Sequence, residues 1–251
     1  MQQISDLLEE CENLYAFLKE QDQSIWSKVT LFKSWSINAV IQHLYFLDQV
    51  ALVSLNNPNN FGPALSDYSK TKQSALLVGA ELLESWANNF RLMCTQLKQE
   101  DPQKRLPWFG PSMSVKTMAT ARQMETWAHG QEIYDLLRVE RTHEDRIKNI
   151  CVLGIKTFSW SFINRKLAVP DVKPYIILES PSGEIWTWHE ESNNDYIKGS
   201  AIDFCHVVTQ GRNIADTQMS LGGEAAKAWM DIAQCFAGKA ENPPSAGERS
   251  W

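Results

Sequence analysis

Several things are missing from this 251-residue chain, and each absence excludes something. There is no run of about 18 apolar residues, so no transmembrane helix is expected. Basic residues are not in excess: 24 Lys and Arg face 30 Asp and Glu, for a net charge of -6. A nucleic-acid binder is usually basic, so that class is set aside. The five cysteines (Cys11, Cys94, Cys151, Cys205 and Cys235) are scattered singly, with no C-x-x-C pair. Together with an N-terminus, Met1-Gln-Gln-Ile-Ser-Asp6, that has neither the basic nor the apolar region of a signal peptide, this predicts reduced thiols in a cytoplasmic protein. Most of these cysteines are expected to fill core space. No internal repeat or low-complexity segment is visible.

What is present is mostly helical periodicity. Ile4, Leu7, Leu8, Cys11, Leu14, Tyr15 and Leu18 recur at helical spacing, with Glu9, Glu10, Glu12 and Lys19 off that face. A second helix is predicted over Lys33 to Leu55, with an inner stripe of Val40, His43, Leu47, Val50 and Ala51. Asn56 to Asn60 and Gly62-Pro63 then read as a loop. A third helix is predicted over Ser69 to about Lys98, carrying Leu76, Leu77, Ala80, Leu83, Trp86, Ala87 and Phe90. Ser114 reads as the N-cap of a fourth helix running to about Val139. Four long helices around an internal polar cluster predict a four-helix bundle over residues 1–141.

After Arg141 the pattern changes. One helix is predicted from Ile147 to Phe162. A hairpin of Tyr175–Leu178 and Ile185–His189 follows, closed by Ser180-Pro-Ser-Gly183. Tyr196-Ile197 reads as a third strand. Ser200 and Asp203 read as a helix-opening pair before Ala201–Val208. Thr217–Leu221 reads as a strand and Glu224–Phe236 as a last helix. Residues 142–251 thus predict a smaller α+β domain. Its tail, Glu241 to Trp251, is either disordered or laid across the surface.

The fourth helix carries the chemistry. Glu125 and His129 are four residues apart and share a face, with Arg122 one turn earlier. Met118 and Ile133 continue the same stripe, so a carboxylate, an imidazole and a guanidinium point toward a core. Burying them unpartnered costs several kcal/mol. With His43 from the second helix they compose two imidazoles and one carboxylate, a ligand set that leaves a position open for water or substrate. Zn²⁺ suits it, and Fe²⁺, Ni²⁺ or Co²⁺ also fit. E-x-x-x-H is common by chance on helices, so periodicity leaves two readings open: metal ligands, or a solvated glutamate beside core or rim histidines. Arg122 either holds a substrate carboxylate or pairs with a core-side acid. Asp48 could orient a ligand from behind, but at five residues from His43 it does not share its helix face. Trp35, Trp108 and Trp127 fall near the site in sequence, with a core role favoured over stacking on a flat substrate. His189 and His206 read as structural, and His143 as exposed.

Two stretches add a resemblance. Trp35-Ser-Ile-Asn-Ala-Val-Ile-Gln-His43-Leu-Tyr-Phe-Leu-Asp48, and Leu106-Pro-Trp108 through Ala121-Arg122-Gln-Met-Glu125-Thr-Trp-Ala-His129 to Asp135, resemble the DinB-like metal-binding superfamily. They are similar to its two-domain branch, which includes mycothiol-dependent maleylpyruvate isomerase. The resemblance implies an N-terminal four-helix bundle holding a divalent metal through His43, Glu125 and His129. Tyr196-Ile-Lys-Gly199-Ser-Ala201-Ile-Asp203-Phe-Cys205, with Gln210-Gly-Arg212-Asn213, resembles its sterol-carrier-like C-terminal domain. There Arg212 matches an arginine that contributes to the active site. The implied activity is a metal-dependent isomerase or S-transferase that uses a low-molecular-weight thiol on a small electrophilic or carboxylated molecule. The alternatives are a thiol-independent hydrolase, lyase or rearrangement enzyme, and a non-catalytic metal-stabilised small-molecule-binding protein. The expected partners are a small-molecule substrate and, at most, a second copy in a homodimer.

Overall fold

The computed structural model describes residues 1–72 and 77–249. Helices dominate, with two small sheets, and the chain divides into two compact units, Met1–Leu137 and Arg138–Trp251. No helix among the described residues is long and apolar enough to cross a membrane.

The first unit contains α1 (Gln2–Lys19), α2 (Ile37–Asn56), α3 (Phe61–Lys72), α4 (Gly79–Gln99), the two-residue strands β1 (Arg105–Leu106) and β2 (Met113–Ser114), and α5 (Val115–Leu137). Helix α1 packs on α4 and α5, and α2 packs on the same two helices. Their apolar stripes form one core that includes Ile4, Leu14, Ile41, Trp86, Phe90 and Met118. Polar bonds at the rim fix the pairing: Arg91 grips Glu12 with two hydrogen bonds of 2.6 and 2.7 Å, joining α4 to α1. Glu10, expected outside the apolar face of α1, is buried.

Three boundaries differ from the sequence reading. Helix α2 starts at Ile37 rather than Lys33, because Lys33 and Ser34 adopt left-handed backbone (φ 49° and 54°) and Ser36 caps the helix through the Ala39 amide. The segment read as a loop at Gly62-Pro63 is the first turn of α3, where proline has no amide to lose. The helix predicted from Ser69 is not continuous, since Leu77 and Val78 are not helical and α4 begins at Gly79; Leu76 lies outside the described residues. Ser114 opens α5 as its spacing suggested, its hydroxyl accepting the Thr117 amide at 3.1 Å.

The second unit contains α6 (Lys148–Lys156), α7 (Phe158–Ile163), β3 (Tyr175–Glu179), β4 (Ile185–Trp188), β5 (Tyr196–Ser200), α8 (Ala201–Val208), β6 (Ser220–Gly222) and α9 (Glu224–Met230). The sheet order is β4-β3-β5-β6. The β3–β4 hairpin is antiparallel, β5 runs parallel to β3, and β6 is antiparallel to β5. Ile176, Leu178 and Ile197 point inward from adjacent strands. Phe158 and Phe204 set ring edges against Trp229 to close the core. The helix expected from Ile147 to Phe162 breaks at Thr157, whose hydroxyl donates back to the Leu153 and Gly154 carbonyls. The last helix ends at Met230, short of Phe236. Ser200 caps α8 through the Ile202 amide, but Asp203 does not complete a capping box: it accepts the Gln218 amide instead. The tail as far as Arg249 lies along this unit, with Asn213 donating to the Pro244 carbonyl and the Gly247 amide to Asp216.

Candidate metal centre

His43 projects from the middle of α2, and Glu125 and His129 from one face of α5. Their ligand atoms all lie within 4.8 Å of one another. Both imidazoles reach the same carboxylate oxygen: His43 Nε2 is 3.2 Å and His129 Nε2 is 3.4 Å from Glu125 Oε2. The side chains of His43, Glu125 and His129 retain 27%, 21% and 11% exposure, so the cluster has an open side.

The surroundings of Glu125 and His129 shift both groups away from their ordinary values. Burial pushes the Glu125 carboxyl up, but hydrogen bonds from His129 and His43 and the nearby Arg122 charge outweigh it and hold Glu125 well below the usual range. Burial, helped by the charges of His43 and Arg122, holds His129 below its ordinary value despite the Glu125 carboxylate. An ionised carboxylate and a neutral imidazole are the forms that bind metal. Two nitrogens and one oxygen at this spacing fit a divalent ion such as Zn²⁺, with a position left over.

A turn before α2 supplies an aromatic wall. The Trp35 ring lies 5.1 Å from His43 and stacks on His129 at 5.8 Å, while Phe32 meets His129 edge-on at 5.0 Å. The turn is built by the left-handed pair Lys33 and Ser34 and pinned by Thr30, whose amide and hydroxyl both donate to the Trp35 carbonyl. Phe32 escaped the sequence reading because it lies outside any periodic pattern. Among the tryptophans flagged by position, Trp35 reaches the site, Trp127 is core, and Trp108 packs on the core.

Beneath the ligands lies a second polar layer. Arg122 Nε donates to Asp48 Oδ1 at 2.8 Å, and the two side chains are 1% and 0% exposed. Trp86 Nε1 donates to the other Asp48 oxygen at 3.0 Å. The arginine expected at a substrate carboxylate is therefore engaged with a core-side acid. Arg212 belongs to the second unit, where it is buried and donates to the Gly211 carbonyl at 3.0 Å. His206 is buried nearby and His143 is half-buried rather than exposed; their rings meet edge-on at 6.4 Å. His189 binds the Pro174 carbonyl at 2.8 Å, a structural role.

Helices that present two imidazoles and a carboxylate around an open position define a class of helical proteins with a candidate metal centre. The chain belongs to the mycothiol maleylpyruvate isomerase N-terminal domain family, whose profile matches residues 7–134. Two uncharacterized proteins of Mycobacterium tuberculosis, from strains CDC 1551 / Oshkosh and ATCC 25618 / H37Rv, are each 34% identical to it, over 97% of both chains. Two crystal structures of mycothiol-dependent maleylpyruvate isomerase, one of a point mutant, share its fold. The mutant aligns with a TM-score of 0.53 at 12% identity and the other with 0.51 at 11%, each covering 82% of this chain and 87% of the other.

Proposed function

We infer that this protein is a divalent-metal-dependent, thiol-using isomerase or S-transferase acting on a small electrophilic or carboxylated metabolite. The observation that carries this reading is the convergence of His43, Glu125 and His129 from two helices to within 4.8 Å, with one side open. Family membership and the fold shared with a mycothiol-dependent isomerase support the thiol. In this reading α1, α2, α4 and α5 act as the metal-holding four-helix bundle of the DinB-like group, over residues 1–141. Residues 142–251 act as its sterol-carrier-like partner.

His43, Glu125 and His129 would hold the ion. Zn²⁺ bound there would supply Lewis acidity that lowers the pKa of a thiol and favours the thiolate. The thiolate sulfur forms a C–S bond at an electron-poor double bond. The former double bond then rotates as a single bond, and expulsion of the same thiolate restores it in the other geometry. Displacement of a leaving group by the same thiolate gives S-transfer. Trp35 and Phe32 form a flat apolar wall beside the ligands, suited to a conjugated substrate. Arg212, buried within the second unit, is the residue that the family resemblance would assign to a carboxylate of substrate or thiol. Arg122 keeps its guanidinium on Asp48, so its role here is to organise the site from behind rather than to bind substrate.

The test has two parts. Zn²⁺ titration of the wild type and of His129→Ala should show one tight site in the first and none in the second. Maleylpyruvate with mycothiol, the pair in the relatives' names, should be isomerised only when the thiol is added. A variant retaining full metal content and activity would sink the reading.

A further inference from the structure

Asp48 sits in the least hospitable place for a carboxylate, with no exposure, at the meeting of three helices. Each of its oxygens is committed to a different helix: Oδ1 to Arg122 on α5, and Oδ2 to Trp86 on α4. The Arg122 guanidinium also reaches the carbonyl of Leu44 at 3.5 Å, one residue beyond His43 on α2. Arg122 lies one turn before Glu125 on α5, and its charge acts on both Glu125 and His129. The layer therefore contacts the backbone next to one ligand and shares a helix face with the other two.

Buried ion pairs are poor stabilisers, since well-packed apolar residues of similar volume do as well or better. Stability alone does not explain a buried Asp–Arg ion pair, with Trp86 bonded to it, in a core made mainly of apolar side chains. Orientation does, because partners behind metal ligands fix ligand geometry and tune affinity. We propose that Asp48, Arg122 and Trp86 form a positioning layer that sets the separation of α2 and α5 at the metal centre and thereby its affinity for the ion. This inference rests on the metal reading above and adds the residues that control it. None of the three side chains touches the ion or a substrate. They act through the helices that carry His43, Glu125 and His129.

Two variants test it, with Zn²⁺ competition against a chelator and thermal unfolding as readouts. The triple change Asp48→Leu, Trp86→Phe and Arg122→Met replaces the whole layer with apolar groups. Its unfolding midpoint should stay at or above that of the wild type while Zn²⁺ affinity falls about 10–100-fold. Arg122→Lys keeps the charge but loses the fork that joins Asp48 to the Leu44 carbonyl. It should stay folded with a smaller loss of affinity, and it decides the matter if the triple variant does not fold. Wild-type affinity in either folded variant overturns the positioning layer while leaving the metal centre standing. A wild type that binds no Zn²⁺ overturns both.

Discussion

His43 Nε2 and Glu125 Oε2 lie 3.2 Å apart although 82 residues separate them in sequence. The contact joins α2 to α5, and His129 approaches the same oxygen from one turn further along α5. Glu125 is thus the shared member of the cluster. Glu125→Gln keeps its volume and removes its charge. Zn²⁺ affinity should fall more than about 100-fold, beyond what a merely orienting partner contributes, with far-UV circular dichroism unchanged. Isothermal titration of the two proteins checks this.

Gly154 lies where α6 passes α8. A Cβ built there would come within 2.9 Å of both Val208 methyl groups and 3.1 Å of its Cβ, so the short Val208 side chain would have to move. Gly154→Ala should destabilise the second unit by about 1–3 kcal/mol, the usual penalty of overpacking. Urea denaturation followed by tryptophan fluorescence measures it. Gly154→Ala combined with Val208→Ala should recover part of the loss.

His143 and His206 give the second unit an acid sensitivity of known sign. Burial, with Arg141 and Arg146 beside it, pushes His143 down to about 3. Burial and the charges of Arg212, His143 and Arg141 hold His206 well below its ordinary value. In the unfolded chain both titrate near about 6.5. Between that value and the folded pKa, the unfolded state binds more protons. The stability these groups contribute is therefore complete above about pH 6.5 and declines as pH falls below it, for His143 until about 3. His143→Asn should flatten the fall of the unfolding midpoint between pH 6 and pH 4, at roughly the single-group slope.

The cysteines should be chemically quiet. All five are buried thiols, and burial with the Asp48 charge pushes Cys94 up to about 12. Cys11 is raised well above its usual value for the same first reason. The thiolate is the reactive form. Ellman's reagent should therefore label the native protein far more slowly than glutathione, and should count five thiols once denaturant is added.

The sequence made the helices legible wherever an apolar stripe was clean. Helix α1 shows it well, since Ile4, Leu7, Cys11, Leu14 and Leu18 are all buried. The shared face of Glu125 and His129 was legible too, because i and i+4 on α5 lie one above the other, whereas their grouping with His43 as one ligand set rested on the resemblance. Local chemistry hid the rest. Nothing in Lys33-Ser34 announces two left-handed residues, so residues 33–36 of the turn that brings Phe32 and Trp35 to the imidazoles were read as helix. The Asp48–Arg122 pair was obscured for a geometric reason. Asp48 was judged against His43, whose face it does not share, whereas its partners come from α4 and α5, and pairing between helices leaves no periodic trace. Arg122 was correctly drawn toward the interior, and the structure shows which acid meets it there.

Trp35 has one more consequence. Its indole stacks 5.8 Å from one imidazole and 5.1 Å from the other, well inside the range over which an open-shell ion drains an excited state. The centre thus carries its own optical gauge. Filling it with Co²⁺ or Ni²⁺ should dim a fraction of the emission from the ten tryptophans, whereas closed-shell Zn²⁺ should not. In Trp35→Phe most of that dimming should vanish, so occupancy can be followed by light alone, without label or substrate.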